Sequence, residues 1–277
     1  LAAGTPTLAT RLREQGYRTA AFVSGFPLKR SFGLDQGFDH YDDTMPAGRE
    51  GYVERRAQDT SQAALDWLAG QDDDAPVFVW IHYYDPHDPY EPPREFWQPG
   101  PRGAYDGEVV YTDYWIGRLL EGWPARPDRE RLTIYTSDHG EALGEHGEDT
   151  HGYFVYDSTV LAPLVWHWPE RVAAREDPAQ VRHVDIAPTV MALLGVSGPV
   201  TDGSCEGSAL TAVTQGGDSE SRPAFVETWL PWNYFGWSPL FAVREPDWKY
   251  IDAPRPELFD LVADPGEQRN LAPSQPD

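Results

Sequence analysis

One cysteine, two methionines and two lysines are all that these 277 residues hold of those types. The lone Cys205 excludes an internal disulfide and a zinc cage built on cysteines. The lysines are Lys29 and Lys249, so arginine carries most of the positive charge. Even so, 22 basic side chains face 45 acidic ones, for a net charge of −23. That sign disfavours nucleic acid and anionic membrane as partners, because both attract the opposite charge. No apolar stretch approaches the ~20 residues that span a bilayer. Disorder is excluded too, since 40% of the residues are apolar and 13% aromatic. The length suits one large domain or a domain with a small appendage.

What is present is an alternation. Thr5-Pro6-Thr7 before LATRLREQG reads as a capped helix start, and Gly16 supplies the stop before the apolar run TAAFVS. A helix over 56–70 (Ala57, Ala64, Leu65, Trp67, Leu68) leads through QDDDAP into VFVWIHYY. A third helix near 103–122 (Val109, Val110, Trp115, Ile116, Leu119, Leu120) precedes LTIYTS. PLVWHW (163–168) then precedes the helix DIAPTVMALLG. Helices alternating with continuous apolar strands predict an α/β domain whose mainly parallel sheet is sandwiched by helices. This core domain spans 1–222, and its end, 197–222, is a Gly/Ser/Asp-rich connection. The short strands AFVETW, LFAVRE and WKYID, ending in ELFDL, predict a small antiparallel α+β subdomain over 223–277.

Two strands run directly into polar clusters, where ligands collect in open parallel sheets. VFVWIHYY ends in a segment carrying His82, Asp85, His87 and Asp88, with Pro86 and Pro89 stiffening the loop that presents His87. LTIYTS ends in TSDHGEALGEHGEDTHG, which packs three histidines and five carboxylates without a lysine. Both clusters are expected at the same edge of the sheet. Asp138 and His139 offer an oxygen and an imidazole nitrogen to a divalent cation, and Gly140 lets the chain turn behind them. A solvated turn is the plainer reading of that dipeptide, but Glu141, Glu145, His146, Glu148 and His151 are an odd choice for one. His82 reads as structural, and His40, His167 and His183 receive no role. The aromatic run WLPWNYFGW (229–237) reads as core of the small subdomain or its seam with the main one; a sugar-stacking surface is the alternative.

These stretches, in this order, resemble the sulfatases of the alkaline-phosphatase-like superfamily. The resemblance is carried by TPTLATRLREQGYRTAAFVSGFPLKRSFGLDQGFDHYDD, PVFVWIHYYDPHDPYEPP, TIYTSDHGEALGEHGEDTHGYFVYDSTVLAPL, VDIAPTVMALLG and ELFDLVADPGEQRNLA, which cover nearly the whole chain. It implies metal-dependent hydrolysis of a small sulfated substrate, whether an aryl, alkyl or carbohydrate sulfate. Asp138 and His139 match metal ligands, and His87 matches the histidine that contacts sulfate and protonates the leaving oxygen. His151 falls where many members place a lysine, so it would contact sulfate and support catalysis as an imidazole. The implied metal is calcium, with magnesium or manganese in some members, and the histidine ligand adds tolerance for manganese.

The family's Cys/Ser-x-Pro-x-Arg motif, whose first residue becomes the formylglycine nucleophile, does not occur here, and Cys205 lies in the wrong context. An upstream Asp-Asp pair of metal ligands is missing as well. The expectation is therefore a chain lacking its N-terminal part, inactive alone. A phosphoric or phosphonic ester hydrolase of the same superfamily is the nearest rival reading. A carbohydrate-binding module is a rival from another class.

Overall fold

The computed structural model describes residues 1–46, 54–71, 74–126, 128–197, 207–210, 213 and 216–275. Cys205 and half of the 197–222 connection lie outside the described residues. The chain divides into two compact units, one of Leu1–Asp128 with Gly195–Cys205, the other of Arg129–Leu194 with Glu206–Asp277. Among the described residues, no helix is long and apolar enough to cross a membrane.

The first unit is built around β1 (Arg18–Phe22), which lies between β2 (His40–Asp42) and β3 (Val77–Ile81) in a wholly parallel sheet. Its continuous apolar run is explained by burial on both faces. Ala20 and Phe22 pack on one side with Ala64 of α2 (Ala57–Ala69) and Leu119 of α3 (Gly103–Gly122). Ala21 and Val23 pack on the other with Tyr41, Phe38 and Leu28. Removing the Phe22 ring would cost about 3–5 kcal/mol by the usual cavity rule. Upstream, α1 (Leu8–Glu14) starts at Thr7, whose hydroxyl oxygen accepts the Thr10 N–H at 3.1 Å. Gly16 follows its end at a φ of +85°, a conformation open to glycine.

The third helix departs from the sequence reading in the face it buries. Val109 and Val110 are exposed, while Gly103, Gly107, Glu108, Tyr111, Thr112 and Leu119 are buried. The cause is close packing on the preceding chain: a Cβ at Gly107 would lie 2.8 Å from Pro92 Cγ.

In the second unit, β4 (Thr133–Thr136) pairs with β5 (Leu164–His167) in antiparallel register, with Thr133 opposite His167. The PLVWHW strand thus departs from the mainly parallel pattern expected of it. A parallel return usually runs through a crossover helix, and in this connection α4 (Asp157–Val160) has 4 residues. The C-terminal strands β6 (Ala224–Thr228), β7 (Leu240–Arg244), β8 (Trp248–Asp252) and β9 (Glu257–Asp260) form the expected antiparallel sheet in sequential order. Their core is Val155, Ala242, Ile251, Phe259 and Leu261.

Beside that core lies a buried ionic cluster. Lys249, 0% exposed, donates to Asp157 Oδ1 at 2.9 Å and pairs with Glu267 Oε1 at 2.8 Å. The Glu267 contact is an ion pair whose angle lies outside hydrogen-bonding range. Arg244 reaches Asp157 Oδ2 at 2.9 Å, and the Asp157 N–H donates to Glu267 Oε2 at 2.6 Å. Burial alone would raise the Asp157 carboxyl, but the Arg244 hydrogen bonds and the Lys249 charge hold it below 3.8. The cluster ties the start of α4 to β7, β8 and the chain after β9.

Gly140, behind the polar cluster that follows β4, is a glycine for want of space. A Cβ there would meet the Ser158 carbonyl oxygen at 2.4 Å and that of Leu161 at 3.0 Å. Its N–H donates to the Thr159 carbonyl at 2.9 Å.

Asp157→Asn should therefore destabilise the protein by about 3 kcal/mol at neutral pH, because it strips a partner from a buried ammonium. The Asp157 carboxyl is lowered on folding, so its stabilisation is full above pH ~3.8 and is lost as pH falls through the lower folded value. Urea titrations between pH 3 and 7 should show the gap between variant and parent narrowing at the acid end; equal stability at pH 7 would remove the cluster's importance. Gly140→Ala should cost about 1–3 kcal/mol, the usual penalty of overpacking against backbone, and should shift the amide signals of 158–161. Unchanged stability and spectra would show that the approach is looser than described.

Candidate functional site

After β3 the chain enters the His87 loop. The His87 and Tyr84 rings stack at 4.1 Å, and the Tyr84 hydroxyl lies 3.1 Å from His87 Nε2. His87 Nδ1 is 2.6 Å from the Asp88 carbonyl oxygen, which can only accept, so the proton of the neutral ring belongs on Nδ1. Nε2 is then the nitrogen that gains and loses a proton. Tyr84 in turn lies on backbone without a side chain, since a Cβ at Gly25 would come within 2.6 Å of its Cδ2. Asp85 is buried and accepts from Ala57 N–H at 2.8 Å and from Arg56 at 3.0 Å, which anchors the loop to the start of α2. Burial raises the Asp85 carboxyl in spite of these donors. His82 continues the sheet, its N–H donating to the Phe22 carbonyl at 2.9 Å.

In the other unit, β4 delivers Asp138 and His139. His139 Nδ1 lies 2.8 Å from the Gly140 carbonyl oxygen, which again places the proton on Nδ1. Its Nε2 lone pair then lies 3.7 Å from Asp138 Oδ1, and the Asp138 carboxylate is 76% exposed. One imidazole nitrogen and one carboxylate oxygen so placed fit two positions of a divalent cation's shell. Among the described residues, no group of three or more His, Cys, Asp or Glu is arranged to hold a metal. The donor set thus fits part of a shell.

The loop then folds back on itself. Ala142 N–H donates to Thr150 O and Gly144 N–H to Glu148 O, both at 2.9 Å. This return brings the His151 ring to 3.9 Å from that of His139. His151 Nδ1 donates to Glu141 Oε1 at 3.0 Å, and that hydrogen bond raises the His151 pKa against the opposing effect of burial. The buried Glu148 carboxylate accepts the Tyr153 N–H at 2.7 Å and the Phe154 N–H at 3.3 Å.

The structure therefore gathers Asp138, His139 and His151 within one unit, while His87 belongs to the other. It also supplies partners that the sequence reading left without a role. Glu141 and Glu148 were visible as acids in the loop, though nothing distinguished them from Glu145. His183 has no polar cluster near it in sequence; its Nε2 lies 2.8 Å from the Ser137 carbonyl oxygen, directly beside Asp138.

The aromatic run departs most from expectation. Trp229, Trp232, Tyr234, Phe235 and Trp237 are all exposed, so they do not form a core. They sit on and around a helix of 6 residues, Leu230–Phe235, in which only Pro231 is buried. So short a helix cannot bury a full face. Phe235 and Trp237 stack at 4.8 Å, and Phe235 lies 6.0 Å from Tyr153, two residues beyond His151. Thr228 Oγ1 also hydrogen-bonds the Gly152 carbonyl, so the exposed rings adjoin the histidine loop.

The N-sulphoglucosamine sulphohydrolase C-terminal family matches residues 144–276. A choline-sulfatase of Rhizobium meliloti is 32% identical over 174 residues, covering 62% of this chain and 33% of its own length. The chain thus spans about a third of that relative. A structure solved with its substrate D-glucosamine-2-N,6-O-disulfate superposes with a TM-score of 0.74 at 18% identity, covering 96% of this chain and 77% of the other. A phosphonate monoester hydrolase of Agrobacterium radiobacter superposes with a TM-score of 0.73 at 19% identity, covering 99% and 77%. Identities this low establish the alkaline-phosphatase-like fold alone. Family membership implies a divalent metal and a formylglycine as the general chemistry. The sulfatase family itself matches residues 1–196, and the chain belongs to it.

Proposed function

We propose that the protein carrying this chain hydrolyses sulfate monoesters, with Asp138 and His139 as metal ligands, His151 as a sulfate contact and His87 as the acid. The observation that carries this reading is the three-residue grouping after β4. His139 Nε2 faces Asp138 Oδ1, and the His151 ring lies tilted at 3.9 Å from the same imidazole while Glu141 orients it. In the family, the divalent metal supplies charge neutralisation at the sulfate oxygens and formylglycine supplies the attacking oxygen. We take calcium as the metal, with magnesium or manganese as alternatives.

The chain's own residues then divide the remaining work. Glu141 holds the Nδ1 proton of His151, so His151 presents Nε2 to a sulfate oxygen as a donor when the ring is charged. In its cationic form, His87 carries a second proton on Nε2. As the sulfur–oxygen bond breaks, that proton passes to the departing oxygen and leaves the neutral ring, which the Tyr84 hydroxyl meets at 3.1 Å. Proton transfer of this kind matters most for basic leaving groups.

The exposed rings bear on the kind of ester. Trp237, Phe235 and Tyr234 adjoin the loop that carries His151, and aromatic faces stack on sugar or aryl rings. We therefore favour a sulfated leaving group that has a ring. The choline-sulfatase relative supports a small alkyl sulfate as the alternative.

Kinetics of the complete protein test these roles. His87→Ala should slow an alkyl or sugar sulfate by about 10²–10⁴-fold and nitrophenyl sulfate much less, whereas His151→Ala should impair both evenly. Asp138→Ala should abolish both. If His151→Ala alone shows the leaving-group dependence, the two histidines exchange roles. Trp237→Ala should raise KM for sugar and aryl sulfates about tenfold, the loss of one stacking contact, and leave choline sulfate unaffected. Equal effects on all three substrates would refute a stacking role.

A further inference from the structure

Glu108 is 1% exposed in the interior of α3. A carboxylate so placed is costly unless donors meet it. Both oxygens have donors, and each accepts a backbone N–H of one loop. Oε2 accepts the His87 N–H at 3.1 Å, and Oε1 accepts the Glu91 N–H at 2.8 Å. A single carboxylate thus grips the two ends of the 87–91 segment. Arg56 approaches Oε1 at 3.5 Å while it donates to Asp85 at 3.0 Å. One turn further along α3, the Thr112 hydroxyl donates to the Asp85 carbonyl oxygen at 3.0 Å.

The arrangement is directed at the loop. The apolar packing of α2 and α3 on β1 runs through Ala64 and Leu119, with Ala20 and Phe22. Burial first, and then the charge of Asp85, push the Glu108 carboxyl up to about 7 in spite of the two N–H donors and Arg56. A glutamine would avoid that strain, but it would set an NH2 donor where one of the two N–H groups now meets an acceptor oxygen.

We propose that Glu108 is a positioning residue for His87: by holding the His87 and Glu91 N–H groups, it fixes the loop in the conformation that keeps the ring proton on Nδ1 against Asp88 O and Nε2 as the reactive nitrogen. This rests on the reading of His87 as the acid.

Hydrogen exchange and histidine NMR on the chain test the clamp without reference to turnover. In the unmodified protein the His87 and Glu91 amides should share one protection factor, because one carboxylate holds both. Protection differing by more than about tenfold overturns the proposal, whether or not any variant folds. In Glu108→Gln, at least one of the two amides should exchange about tenfold faster or more, while those of Ala64 and Leu119 keep their protection. The ¹⁵N shifts of the His87 ring should move from the Nδ1–H tautomer toward a mixture. Unaltered loop amides and ring shifts overturn the proposal, as does an equal loss of protection at Ala64 and Leu119, which would mark a general structural role.

In the complete enzyme, Glu108→Gln should lower kcat for a sugar sulfate by about 10²-fold, the scale of a small misplacement of a catalytic group, with little change in KM. Nitrophenyl sulfate should be affected much less. If His87→Ala itself shows no leaving-group dependence, the acid assignment fails. The positioning of the ring is then judged by exchange and tautomer alone, and their change upholds it.

Discussion

An ammonium group sealed from water must find its counter-charges inside the protein, and Lys249 finds them on two separate stretches of chain. Asp157 lies just beyond the histidine loop and Glu267 beyond the last strand of the C-terminal sheet, with Arg244 adding a second cation. None of these groups can leave without stranding another charge in a poorly solvating interior. The cluster therefore fixes where the C-terminal sheet meets the start of α4. Through Thr159 and Ser158 it also fixes the backbone against which Gly140 packs. The residues that offer themselves to a metal are held from behind by this packing, since their own side chains project toward solvent.

The same chemistry recurs at smaller scale. Glu148 accepts two successive N–H groups at the exit of the histidine loop, and Glu108 accepts two at either end of the His87 segment. Asp85 and Asp185 do likewise at helix starts, for Ala57 and for Arg182 with Ser208. In each case a carboxylate organises backbone that has no regular ladder to satisfy it. Part of the acidic excess is thus internal architecture, and only the remainder is a solvated surface.

How far the amino-acid order discloses this depends on the range of the forces involved. TAAFVS announces a strand covered on both faces, and the four C-terminal strands are equally plain, because burial patterns are local. Asp138, His139 and His151 sit in one loop, so their grouping is legible too. The direction of β5 is not, since it depends on what connects it to β4. Glu108 escapes a reading based on apolar spacing, which selects its exposed neighbours Val109 and Val110. The contact of His183 with Ser137 joins residues 46 apart and leaves no local trace. The aromatic run misleads for a different reason: its composition resembles a core, but its helix is too short to have an inside.

The confinement of Lys249 also has a practical side. Of two lysines, one is closed off at 0% exposure, and Lys29 is the other. Lys29 lies between two short 3-10 turns, Phe26–Leu28 and Arg30–Phe32, partly exposed in the chain that joins β1 to β2. An amine-directed dye, crosslinker or resin therefore meets a single reachable lysine side chain on the folded chain. Conjugation through that amine would give one orientation, set by the same burial that keeps the second amine out of reach.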